Sequence, residues 1–233
     1  MVQVNSSNPI NLRVKFKKIG SLQYISHLDL VRTMHKIIIR AGLPLWYTEG
    51  FNPKPKMVFA APLSIGTESL AEFVDIRLNE KMSETEVLSR LNKNLTDEMQ
   101  AIEAYYPEAK LTDLKWLSYT MKIKTNDVSE KLVRDVESCL LSDSLTVEKK
   151  SKSGDGARID IRPLIKSASA VLDGELIVIN CVLSADQSAF LNPEYVIKAL
   201  KEECGILSDP CIVNEYYSIM RENAYRADMS EFR

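Results

Sequence analysis

Residues 12–42, LRVKFKKIGSLQYISHLDLVRTMHKIIIRAG, hold two structural periods in succession. Over 12–17 the period is two. Leu12, Val14 and Phe16 fall on one side and Arg13, Lys15 and Lys17 on the other, the pattern of a half-buried strand. Gly20 and Ser21 turn the chain. From Ser26 to about Ala41 the period becomes helical, with Val31, Met34, Ile38 and Ala41 on one face. Ser26 with Asp29 three residues on is an S-x-x-D capping pattern. Gly42 stands where a left-handed residue ends a helix, and Pro44 follows it.

Outward from this β-α start, Leu45 to Thr48 is extended and leads into the loop Glu49-Gly-Phe-Asn-Pro-Lys-Pro-Lys56. Residues 57–61 and 71–78 read as strands, joined by a turn-rich segment. Ser83 caps a helix over about 84–95, with Glu86 in the capping-box position. A strand at 99–106 ends at Pro107. The order is β-α-β-β-α-β, the ferredoxin-like plan, with helices on one face of a sheet.

The second half repeats the plan. Tyr119, Met121 and Ile123 alternate with Thr120, Lys122 and Lys124. Ser129 caps a helix to about Leu141. Strands are expected near 144–149, 158–165 and 175–184, with a polar loop at 150–157. Asn192 caps a helix with Pro193 in its first turn, a favoured place for proline, and Gly205 ends it. A last strand is expected near 211–220, then a polar, loosely held tail, 221–233. The expected fold class is therefore α+β, with tandem ferredoxin-like domains over residues 1–110 and 111–233.

Composition allows this. The chain has 233 residues, 45% hydrophobic and 27% charged, enough for two small cores. No run of eighteen apolar residues marks a membrane span, and the first residues lack a secretory layout. Cys139, Cys181, Cys204 and Cys211 form no CxxC pair, and only two histidines accompany them. No metal or cofactor is expected from that set, and the cytoplasm is the expected location. Cys139, Cys181 and Cys204 sit among apolar residues and read as core fillers. Charge is unevenly placed. Residues 1–60 carry nine Lys or Arg against two Asp or Glu, and residues 61–233 carry 21 against 30. A basic end on an acidic chain points to a localised surface for anions.

The segments Ile25-Ser-His-Leu-Asp-Leu30, Arg40-Ala41, Gly50-Phe-Asn-Pro-Lys-Pro-Lys56, Phe59, Pro62-Leu63 and Gly66 resemble the signature of a bacterial family of unknown function. Its members are linked to radical SAM proteins, fused at their C-terminal end or encoded beside them. Ala157-Arg-Ile-Asp-Ile-Arg-Pro163 resembles a later segment of that family. The strong part of the resemblance covers about residues 12–80. The family often has His where this chain has Lys54. The resemblance implies partnership with a radical SAM protein. The cysteine triad that holds such a cluster is absent from this chain, so the implied role is accessory.

Several residues are candidates for binding. His27 projects from the first helical turn beside Asp29, where a neutral imidazole acts as a base or hydrogen-bonds a phosphate; it is the one catalytic candidate. Arg32, Lys36 and Arg40 form an i, i+4, i+8 stripe. On a ferredoxin-like sheet, Arg13, Lys15 and Lys17 are expected on the open face, with Lys122 and Lys124 repeating them. In the stiff loop, Lys54 and Lys56 suit phosphate or a partner's acidic patch, with Asn52 beside them between Phe51 and Pro53. Phe51 is expected to anchor the loop in the core. Arg158 and Arg162 alternate with Ile159 and Ile161 on a charged strand.

These features fit an accessory or substrate-recognition protein that binds RNA through its basic N-terminal surface. One alternative is a metal-independent endoribonuclease with His27 as base and Lys54 or Lys56 stabilising charge. Another is a protein-interaction adaptor without nucleic acid.

Overall fold

The computed structural model describes residues 8–150, 156–209, 211 and 213–233. It is α+β and divides into two compact units. One comprises the chain up to Asp113 with Phe232 and Arg233, and the other Leu114–Glu231.

The first unit runs β1 (Ile10–Lys18), α1 (His27–Arg40), β2 (Met57–Phe59), β3 (Thr67–Leu78), α2 (Glu84–Asn92) and β4 (Ala101–Tyr105). All its strand pairs are antiparallel, in the order β4-β1-β3-β2. Leu12, Val14 and Phe16 are buried beneath α1 and α2. They pack with Leu30, Met34, Ile37 and Ile38 of α1 and with Val87 and Leu91 of α2. The helical face is as the spacing requires, except that Leu30 and Ile37 are buried and Val31 is only half-buried. Ser26 caps α1 by accepting a 3.1 Å bond from the Asp29 amide, and its own hydroxyl donates to the Asp29 carboxylate at 2.7 Å. Gly42 is left-handed at φ +64°. Ser83 stands before α2, but its hydroxyl bonds Thr85 rather than a backbone amide. Glu86 is taken by Arg90 at 2.6 Å, so the expected capping box does not form.

The opposite face of this sheet is not open. Arg13 is fully buried. Its guanidinium donates to Asp75 at 2.7 and 3.1 Å and to the Ala109 carbonyl at 3.0 Å. Lys15 is mostly buried, near Glu103 at 3.9 Å and over the Phe73 ring. Lys17 is half-buried. The cover is the end of the chain. Phe232 is 0% exposed, edge-on to Phe73 with centroids 5.1 Å apart and 4.6 Å from the Arg13 guanidinium. Arg233 lies over Tyr105 and pairs with Glu103 at 3.2 Å. Alternation separates two faces of a strand and does not say which one meets water. The expectation of a loose tail fails for the same reason: one buried aromatic holds it.

The second unit runs β5 (Trp116–Lys124), α3 (Glu130–Leu140), β6 (Thr146–Lys150), β7 (Gly156–Asp160), β8 (Ile165–Asp173), β9 (Leu176–Ser184), α4 (Pro193–Cys204) and β10 (Tyr216–Tyr225). The sheet order is β10-β5-β9-β8, antiparallel throughout, and β6 and β7 form a separate hairpin between α3 and β8. Ser129 and Asn192 accept backbone bonds as caps, and Gly205 ends α4 at φ +67°. Two expectations fail. The single strand read at 158–165 is β7, a short 3-10 turn and the start of a further strand, β8, which the periodicity misses. Only Ile165 and Ala170 of β8 are buried, so this edge strand has almost no apolar period to read. The last strand lies at 216–225, about five residues beyond its expected place. Arg221 is buried within it, donating to the Tyr119 hydroxyl at 3.2 Å, which disguised the strand as tail. Most of the polar loop expected at 150–157 lies outside the described residues.

Candidate functional site

Between α1 and β2 the chain builds a hairpin of its own. Trp46, Tyr47 and Thr48 run against Lys54, Pro55 and Lys56. Tyr47 and Pro55 face each other across it. The Thr48 amide donates to the Lys54 carbonyl at 2.9 Å, the Lys56 amide to the Trp46 carbonyl at 3.0 Å, and the Lys54 amide to the Thr48 hydroxyl at 3.1 Å. Both legs are tied to β3. Trp46 donates to the Arg77 carbonyl at 2.9 Å, and Arg77 donates to the Lys56 carbonyl at 3.0 Å. Pro53 and Pro55 have fixed φ and no N–H, so they stiffen the returning leg. Gly50 turns the tip at φ +117°, a conformation L side chains rarely adopt.

Helix α1 lies alongside the returning chain. The His27 ring is edge-on to Phe59, centroids 5.4 Å apart, and His35 Nε2 is 3.2 Å from the Pro55 carbonyl. Eight helical residues rise about 12 Å and four extended residues about 13 Å, so the two contacts fix helix and chain antiparallel along their length. Lys54 and Lys56 flank Pro55, and Lys36 follows His35. The stripe Arg32, Lys36 and Arg40 is exposed on α1. Arg32 pairs with Asp29 at 3.2 Å. Hydrogen bonds from Ser26 and then from Arg32 hold the Asp29 carboxyl below its ordinary range. Among the described residues no acid or base is hydrogen-bonded to His27, which is itself exposed.

Phe51 overturns an expectation. It does not anchor the loop but stands at the tip with its side chain fully in solvent, 111% exposed relative to a reference residue. Asn52 and Lys54 beside it are also exposed. At the base of the same hairpin a concave region of about 300 Å³ is lined by Lys56, Arg77 and Lys110 with Asn11, Asp75 and Glu108. Asp75 is committed to Arg13 and Asn11. Sequence reasoning missed Arg77 and Lys110. Arg77 is the polar member of an otherwise apolar strand end, and that was the available signal.

The remaining candidates lie elsewhere. Arg13 is sequestered under Phe232, Lys15 lies over Phe73 near Glu103, and Lys17 sits half-buried on the same strand. In the second unit Lys122 is exposed and Lys124 lies 3.6 Å from Glu175. Arg158 is exposed on β7 opposite Glu148. Arg162 is not on that strand. It turns the chain, donating to the Ser142 and Ile165 carbonyls at 3.0 and 2.8 Å, while Asp160 accepts from the Leu145 and Arg162 amides. These bonds give Arg162 and Asp160 a structural role.

No helix among the described residues is long and apolar enough to cross a membrane. No curated protein matches the chain. Among solved structures, a crystal structure of a Cbf5-Nop10-Gar1 complex is similar over 91% of this chain and 48% of that chain, at 9% identity and a TM-score of 0.48. The chain thus spans about half the length of that neighbour. A crystal structure of an unknown protein from Galdieria sulphuraria is similar over 92% of this chain and 99% of that chain, at 14% identity and a TM-score of 0.27. A family model described as an uncharacterised protein conserved in bacteria matches residues 11–193, which include α1, the hairpin and its Lys-bearing leg; the chain belongs to that family, DUF2344.

Proposed function

We propose that this protein is a non-catalytic recognition module that binds single-stranded RNA at the α1–hairpin face and serves a radical SAM enzyme. The observation that carries the reading is Phe51. A fully exposed aromatic at the tip of a tied, proline-stiffened hairpin does nothing for the core, and it leaves both ring faces available for a base. Stacking of one base on such a ring is worth about 1–3 kcal/mol and tolerates any sequence. Lys36 follows His35, which meets the chain at Pro55 between Lys54 and Lys56, so these three cations are suited to follow a sugar-phosphate chain from that base. The concavity of Lys56, Arg77 and Lys110 offers a place for a phosphate. The radical SAM partner rests on the resemblance of the motifs alone.

The test is fluorescence anisotropy with a labelled single-stranded RNA at low salt. Binding that weakens as salt rises and falls about tenfold or more in Phe51→Ala supports the reading. No binding at low salt, or binding that ignores both Phe51→Ala and Lys56→Glu, removes it. A second reading, an adaptor for a protein partner, is favoured by Tyr24, Leu28 and Ile65. They are 68%, 57% and 60% exposed near the start of α1, where the Gly66 amide bonds the Gln23 carbonyl. Capture of a radical SAM protein, with no RNA, by the purified chain would favour it.

A further inference from the structure

Cys139 stands in the last turn of α3, and Cys204 is the final residue of α4. The two helices pack together. Both cysteines line one cavity of about 600 Å³, with Asp135, Ser138, Ser142 and Glu203. The expectation that they are core fillers holds only for Cys181, which is buried in β9 and whose thiol burial pushes up to about 12. Cys139 and Cys204 are half-buried, within reach of small solutes, and face one cavity from neighbouring ends of two packed helices. The neighbouring Cys204 side chain holds the Cys139 thiol below its usual range, and Cys139 in turn raises Cys204. Glu203, and for Cys204 also Asp135, oppose a thiolate there. Among the described residues no three metal-ligating side chains come together.

We infer that Cys139 and Cys204 form a redox-active dithiol that reacts with small peroxides and closes to a disulfide between α3 and α4. The Cys139 thiolate attacks one oxygen of hydrogen peroxide. The O–O bond breaks, the leaving hydroxide takes up a proton as water, and Cys139 becomes a sulfenic acid. The Cys204 sulfur then attacks the Cys139 sulfur. The S–OH bond breaks, the Cys204 proton leaves with the hydroxide as a second water, and the S–S bond forms. Two thiols lose two electrons and two protons, and one peroxide is reduced to two waters. The new bond closes a loop from 139 to 204 that contains β6 to β9 and most of α4, and it constrains the unfolded chain accordingly.

The test uses the full chain with Cys211→Ser, which removes the exposed thiol. After treatment with hydrogen peroxide and alkylation, peptide mapping without reductant is expected to give one linked pair containing Cys139 and Cys204, lighter by two hydrogens. The melting temperature should rise by roughly 10 °C and fall back on reduction. Cys139→Ser and Cys204→Ser should each lose the linked pair and the shift. Mapping of the Cys211→Ser protein decides the matter even where a serine variant folds poorly. Oxidation of Cys139 that stops at sulfenic or sulfinic acid, with Cys204 still open to alkylation, overturns the inference. A link from either residue to Cys181 overturns it as well.

Discussion

Arg13 carries its charge where water does not reach, and Asp75 makes that tolerable. The two stand opposite each other on β1 and β3, 62 residues apart in the chain. A buried ion pair contributes little against an apolar pair, but removing one partner strands the other. Asp75→Ala is therefore expected to destabilise the first unit by about 3–5 kcal/mol in denaturant unfolding. A loss below about 1 kcal/mol would mean the guanidinium is not desolvated as described. The pair was half legible: an aspartate inside Phe73-Val-Asp-Ile-Arg-Leu78 is a charge in an apolar strand, and such a charge needs a partner. What one sequence cannot supply is the register that puts Arg13 across from it. Tyr105 lies in the same covered layer, and burial pushes its hydroxyl up to about 12. A raised tyrosine pKa favours the neutral form in the folded state. Its contribution is complete below about pH 10, the unfolded value, and is lost as pH rises toward 12. Tyrosinate absorbance should show this residue titrating late, together with loss of the first unit's structure. A tyrosine content that titrates entirely near 10 in the folded protein would contradict the burial.

Elements were legible where one face is apolar and the ends are punctuated. Helices α1, α3 and α4 carry Ser26, Ser129 and Asn192 as working caps, and Gly42 and Gly205 close two of them. Strands β8 and β10 were not legible. The first is an edge with two buried side chains, and the second carries Arg221 into the interior. The hairpin at 46–56 was read only as a stiff loop, because its pairing runs through Pro55 and through β3 rather than through an alternating pattern of its own. Its lysines were found by type, whereas the place of Phe51 was misjudged. An aromatic between Gly and Asn says nothing of whether the tip folds inward, and in the folded chain Phe51 stands in solvent. Gly50 tests whether tip geometry matters. A Cβ there meets nothing within 4 Å, so Gly50→Ala acts through φ +117° alone. It is expected to weaken RNA binding several-fold while shifting the melting temperature little, because the strain is relieved by rearranging an exposed tip. A large drop in melting temperature with unchanged binding would assign the hairpin to the fold instead of to recognition.

Apart from the added β6–β7 hairpin, the two units run through the same succession of elements, and they differ in charge. The chain is −2 overall, yet residues 1–60 hold nine cations against two acids. Part of that excess is structural. Arg13, Lys15 and Lys18 are spent on internal contacts, and Lys18 bonds the Leu22 and Gln23 carbonyls. What remains for a ligand is the set on α1 and the hairpin and a half-buried Lys17, with Arg77 and Lys110 added from later in the chain. A count of basic residues therefore overstates the phosphates this protein can neutralise, and salt dependence measures the true number. For single strands, log affinity falls against log salt with a slope of about −0.7 per phosphate contact. If Lys36, Lys54, Lys56, Arg77 and Lys110 each hold one, the slope is about −3.5. Lys56→Ala should flatten it by about 0.7 units, whereas Lys93→Ala, an exposed lysine at the end of α2 that does not line the concavity, should leave it unchanged. Equal flattening by both would mean that the RNA is attracted by overall charge and held at no defined site. A flattening confined to Lys56 would place a phosphate at the base of the hairpin that carries Phe51.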